Sequence, residues 1–153
     1  MPNLARTIHF DESDTNVFSR PAESGEWAIP GGFEFSNWTE QQLVGKGRQA
    51  FANGWLGLDS FGRASFVAVT QVEAPELAAA TAALAGHLER TYGAPTPDAA
   101  LEAARHEIAF MLDLCEEHAP NTLLVVERTL TEAGVRERFR HIVPSEAELD
   151  LVA

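Results

Sequence analysis

Apolar and polar residues alternate along LARTIHF (4–10), with Leu4, Ile8 and Phe10 on one side and Arg6 as the exception. A period of two predicts a β-strand. DESDTN (11–16) reads as an acidic turn, VFSR (17–20) as a short returning strand, PAESG (21–25) as loop and EWAI (26–29) as a third short strand. Helical spacing then appears in NWTEQQLVGKGRQAFANGW (37–55), where Asn37 can cap and Glu40 stands at the capping-box position. Gly45 and Gly47 interrupt that helix at about 1 kcal/mol each, so another element should approach closely there. GLDSFGR (57–63) is a turn region. ASFVAVTQV (64–72) is apolar on both sides of the alternation, which suits a central strand covered on both faces.

Two Ala/Leu-rich helices follow. The first spans 75–93, with Pro75 in its first turn and Gly93 just past its end. The second spans 96–120, with Thr96 as cap and Pro97 at the first helical position. Its apolar stripe is Leu101, Ala104, Ile108, Met111, Leu112 and Cys115, and Phe110 and Leu114 fall outside it. TLLVVERTL (122–130) and VRERFRHI (135–142) flank TEAG and read as a hairpin. Pairing Leu130 with Val135 sets Val126 opposite Phe139, Leu124 opposite His141, Arg128 beside Glu137 and Glu127 beside Arg138. A slip of one residue breaks both the charge match and the apolar face. The element order β-β-(β)-α-β-α-α-β-β predicts an α+β fold: a mainly antiparallel sheet with about three helices packed on it, in two layers. Residues 1–142 are expected to form a single domain and 143–153 a loose acidic tail.

The stretches RTIHFDESDTNVF, EWAIPGGF, GKGRQAFANGWLGLDSFGR and TLTEAGVRERFR resemble a small family of uncharacterised proteobacterial proteins. The similarity spans most of residues 4–142. It implies a bacterial housekeeping or pathway-accessory role and carries over no catalytic or binding residue.

Charge narrows the partners. Eleven basic and 23 acidic side chains give a formal net charge of −12. That field repels nucleic acid and anionic membrane surfaces. One cysteine, Cys115, allows no internal disulfide and suits a reducing compartment. The opening MPNLARTIHF lacks the apolar core of a signal peptide, and no run approaches a spanning helix, so cytoplasm is expected.

Candidate chemistry is sparse. EWAIPGGFEFSNW (26–38) gathers Trp27, Phe33, Phe35 and Trp38 around Pro30-Gly31, a favoured type II turn pair. Trp27 with Ile29, and Phe33 with Phe35, would share strand faces. The preferred reading is a corner of the chain tucked into the core; the alternatives are a partly open aromatic cleft or a dimer interface. Lys46, in GKGRQ, lacks the Ser or Thr of a nucleotide loop but could act as a desolvated amine. Arg136, Arg138 and Arg140 share one face of the last strand, about 7 Å apart. They either recognise an anion or guard a solvated edge, with Glu127 neutralising Arg138. Glu102, His106, Asp113 and Glu117 form a solvated helix stripe and no metal site. His9 and His87 have no partner nameable from sequence, and no cofactor is implied. Phe110 and Leu114 mark a contact with a partner subunit. The favoured function is a non-enzymatic cytoplasmic interaction protein that self-associates. The alternative is a binder of an anionic metabolite, or an enzyme, using the aromatic cleft.

Overall fold

The computed structural model describes residues 1–9 and 16–142. The turn expected at 11–16 falls almost wholly outside them, as does the tail at 143–153. The strands are β1 (Asn3–Ile8), β2 (Ala28–Ile29), β3 (Trp55–Gly57), β4 (Arg63–Ala64), β5 (Phe66–Gln71), β6 (Leu123–Thr131) and β7 (Gly134–Ile142). The helices are α1 (Gly45–Asn53), α2 (Ala74–Tyr92) and α3 (Pro97–Glu116). One antiparallel sheet runs β1-β5-β6-β7 and a smaller one runs β2-β3-β4. The fold is α+β, as the periodicities require.

The two long helices start at their sequence signals, and α3 stops at Glu116, short of the expected 120. Glu73 and Glu76 form a capping box at the start of α2, and Gly93 closes it at φ +64°. The Thr96 hydroxyl accepts the Ala99 N–H at the start of α3. The two helices pack on each other, and α3 lies across β1 and β2. Between helices and sheets lies the core of Leu4, Ile29, Trp55, Leu56, Val67, Val69, Leu84, Met111, Leu124 and Val126. The β6–β7 register is the one that charge and apolar matching demanded, with Leu130 opposite Val135 and Arg128 opposite Glu137.

Several local expectations are corrected. The helix over 37–55 starts only at Gly45, because Gly45 takes the left-handed φ of +55°. Ahead of it stands a 3-10 turn, Glu40–Gln42, capped by Thr39 with Gln42 and not by Asn37 with Glu40. Gly47 does permit a close approach, since a Cβ there would stand 3.0 Å from the Gln42 carbonyl and 3.8 Å from the Trp38 ring. Residues 17–20 form no strand; Phe18 is buried, and Pro21 bridges to Arg63. Phe33 and Phe35 do not share a strand face, because Gly32–Phe35 is a 3-10 turn. Trp55 ends no helix: it opens β3, and the turn expected over 57–63 connects β3 to β4. β5 is central, but only Val67 and Val69 are fully buried and its other face is half covered.

Candidate functional site

The Pro30-Gly31 corner is a junction of buried cations. Gly31 sits at φ +66° and starts the 3-10 turn Gly32–Phe35. Its bend exposes the carbonyls of Pro30 and Gly31 to the interior, where two guanidinium groups reach them. Arg63 Nη1 donates to Pro30 O and Gly54 O, both at 3.1 Å, and Nη2 donates to Gly31 O at 3.0 Å. Arg128 Nη1 donates to Phe51 O at 3.0 Å and Gly54 O at 2.9 Å, and Nη2 to Pro30 O. The carbonyls of Phe51 and Gly54 lie at the C-terminal end of α1, where positive charge is stabilising. Both guanidiniums lie over the Phe35 ring, at 4.5 Å and 5.1 Å. Each cation has its own carboxylate: Glu34 for Arg63 and Glu137 for Arg128, the latter at 2.8 Å. The corner reading of this segment therefore describes Ala28, Ile29 and Phe35, all buried.

A cleft of about 390 Å³ opens beside this knot. Its walls come from Phe18–Arg20, the 3-10 turn, the first half of α1, Phe61 with Arg63, and the end of α2. Glu34 is the hub. Its carboxylate accepts from Arg63, from the Tyr92 hydroxyl and from His87 Nε2 at 3.1 Å. Burial alone would raise its pKa, but the Arg63 charge and the hydrogen bonds from Tyr92, His87 and Arg63 outweigh that and hold it below the usual carboxylate value. Burial also pulls Arg63 down to about 10, against the support of Glu34, so it remains a cation at neutral pH. Burial and the Glu34 hydrogen bond push the Tyr92 hydroxyl up, so it stays protonated. On its other side the His87 ring sets Nδ1 3.3 Å from the Thr91 hydroxyl. Phe61 stacks flat on His87, with centroids 4.0 Å apart, while its backbone is held at φ +58°. A left-handed phenylalanine costs roughly 1–3 kcal/mol and is the kind of strain that collects at functional sites.

The expected site residues divide between places. Phe35, Trp38 and Lys46 line this cleft. Phe33, whose ring meets the edge of Tyr92 at 5.6 Å between centroids, lines a second opening of about 340 Å³ with His106, Glu107, Phe110, Val135 and Glu137. There burial, and then the Glu137 charge, raise Glu107. Trp27 lies apart, under the Arg6 guanidinium at 4.1 Å. Arg136, Arg138 and Arg140 lie exposed on the outer side of β7. Glu127 does not neutralise Arg138: it pairs diagonally with Arg140 at 2.7 Å. Phe110 is 47 % exposed, whereas Leu114 packs partly against the core. Glu102, His106, Asp113 and Glu117 are exposed, and no cluster of metal-ligating side chains occurs among the described residues.

Arg20, Glu34, Phe61, Arg63, His87 and Tyr92 were missed as site residues. They come from four separate stretches, and no local pattern joins them. The arrangement can hold an anion at Arg20 and Lys46, neither of which makes an ion pair among the described residues. It can also stack a flat ring against Trp38 or Phe61.

A family model for DUF6505, a family of unknown function, matches residues 1–153, and the chain belongs to that family. No curated protein and no solved structure matches it. No helix among the described residues is long and apolar enough to cross a membrane.

Proposed function

We propose that this member of the family binds a small anionic metabolite with a flat apolar portion in the cleft around Glu34, His87 and Trp38. The observation that carries the reading is the pair Arg20 and Lys46, two cations without an ion-pair partner among the described residues, lining an aromatic cleft. With Arg63 the cleft lining holds three cations against one carboxylate, on a protein whose net charge is −12. Its volume of about 390 Å³ lies within the range of small-molecule sites, ~300–1,000 Å³. The strained Phe61 supports the same place. Thermal-shift and calorimetric titration with benzoate, phenylacetate and phenyl phosphate tests it. Millimolar aromatic anion should raise the melting temperature, and Lys46→Ala with Arg20→Ala should abolish the shift. No shift with any of the three would overturn the reading.

A second reading is protein contact through Phe110, self-association included, favoured by that ring's 47 % exposure. A strictly monomeric sedimentation profile counts against self-association. Under either reading the protein belongs in a bacterial, proteobacterial cytoplasm, in keeping with its single cysteine, Cys115.

A further inference from the structure

The four-stranded sheet ends differently on its two sides. The outer edge of β1 is used: Thr7 exchanges backbone hydrogen bonds with Gly25 and Glu26, and Arg6 bridges to Trp27. β7 is nine residues long, and nothing pairs with its outer edge among the described residues. A long free edge is a template for another strand. Its two faces carry opposite chemistry. Outward stand Arg136, Arg138 and Arg140, three of the protein's 11 basic side chains. Because Glu127 turns to Arg140, neither Arg136 nor Arg138 has an ion pair among the described residues. Inward, Val135 and Glu137 line the opening of about 340 Å³ whose apolar wall is Phe33 and the half-exposed Phe110.

Charge selects the occupant. A second copy pairing edge to edge about a two-fold axis would set one arginine row beside the other, and like charges at facing positions are destabilising. A strand with carboxylates at alternate positions would instead meet each arginine, while its intervening side chains turn inward over Phe33, Phe110 and Val135. We infer that β7 is a docking edge for an extended segment of a partner protein, acidic and apolar residues alternating, added as a fifth strand. Main-chain hydrogen bonds supply affinity in such augmentation and the alternate side chains supply specificity. The site is separate from the Glu34 cleft, so neither proposal depends on the other.

The test is fluorescence anisotropy on the full chain with a labelled peptide of alternating glutamate and valine, nine residues long to match β7. A lysine-for-glutamate version is the control. The glutamate peptide should bind saturably, the lysine peptide should not, and binding should slow amide exchange along β7. The variant Arg136→Glu with Arg138→Glu, both exposed and so compatible with folding, should lose at least about tenfold in affinity and turn its preference to the lysine peptide. Phe110→Ala should weaken binding of the glutamate peptide without reversing the charge preference. No binding at millimolar peptide, binding indifferent to charge reversal, or a dimer whose interface already protects β7 would each overturn the inference.

Discussion

Replacing Arg128 by methionine removes a cation that is 0 % exposed and leaves a side chain of similar length. The cost follows from what Arg128 holds. Its bonds to Pro30 O and Gly54 O are partly redundant, because Arg63 Nη1 reaches both carbonyls. Phe51 O and Glu137 have no such substitute donor among the side-chain hydrogen bonds. One buried carbonyl and one half-buried carboxylate are therefore left unpaired. Breaking a buried pair on one side costs about 3–5 kcal/mol. That is a large part of the ~5–15 kcal/mol that holds an ordinary domain together. The double variant Arg128→Met with Glu137→Leu removes the stranded carboxylate and should lose less, about 1–3 kcal/mol for the remaining orphaned carbonyl.

Urea titration followed by circular dichroism measures both, with the midpoint shifting at constant slope. Arg140→Ala is the control: its pair with Glu127 is 58 % and 44 % exposed and should be worth less than about 1 kcal/mol. Should the methionine variant fail to fold, Arg128→Lys keeps a charge for Glu137 but cannot span the three carbonyls, and it should fall between control and methionine. If Arg128→Met costs no more than Arg140→Ala, the account of the buried knot is wrong.

Gly31→Ala should cost roughly 2–4 kcal/mol in a thermal or denaturant melt, because its φ of +66° and a Leu56 Cβ only 2.6 Å from the added carbon act together. Gly25→Ala, at φ +89° with nothing within 4 Å, should cost about 1 kcal/mol, and equal losses would refute the close-approach argument. Glu107→Gln should raise the melting temperature slightly at neutral pH. Its folded pKa is raised by burial and then by Glu137, so the penalty exists above that value and vanishes below the unfolded value of ~4.3. A gain that persists unchanged at pH ~4 would contradict this. Burial pushes the Cys115 thiol up to about 12, so aromatic disulfide reagents should label it at least ~100-fold more slowly in native than in denatured protein. Equal rates would show the α3 core face to be open.

What was legible in the sequence is what repeats locally. The ends of α2 and α3 are written in Pro75, Gly93, Thr96 and Pro97, and the structure uses them. The hairpin register was readable because charge and apolar matching agree in one alignment only. The same alignment held an unused signal. Arg128 lies on the alternation face of Leu124, Val126 and Leu130, and a cation on an apolar face implies burial with partners. Of the smaller sheet only β2, within EWAI, was legible; β3 and β4, three and two residues long, carry no period. The cleft was half legible. Phe35, Trp38 and Lys46 lie within 12 positions of one another, but His87 reaches Glu34 across 53 residues and Arg63 across 29. Single-sequence spacing carries nothing over such separations.

The aromatic corner is both a plug and a divider. A 3-10 turn completes a revolution in three residues, so the successive side chains of Phe33, Glu34 and Phe35 leave about 120° apart. Gly32 and Phe33 face the β7 opening, and Glu34 and Phe35 face the Arg20–Lys46 cleft. The carbonyl of Pro30, just ahead of the turn, is gripped by both buried arginines. A turn of four residues has too few internal hydrogen bonds to hold the three side chains of Phe33, Glu34 and Phe35 in fixed directions by itself. The guanidiniums of Arg63 and Arg128 fix it from behind, through carbonyls that would otherwise need water. The desolvation cost of two buried cations is therefore matched by a geometric return: one short segment supplies rigid walls to two separate concave surfaces.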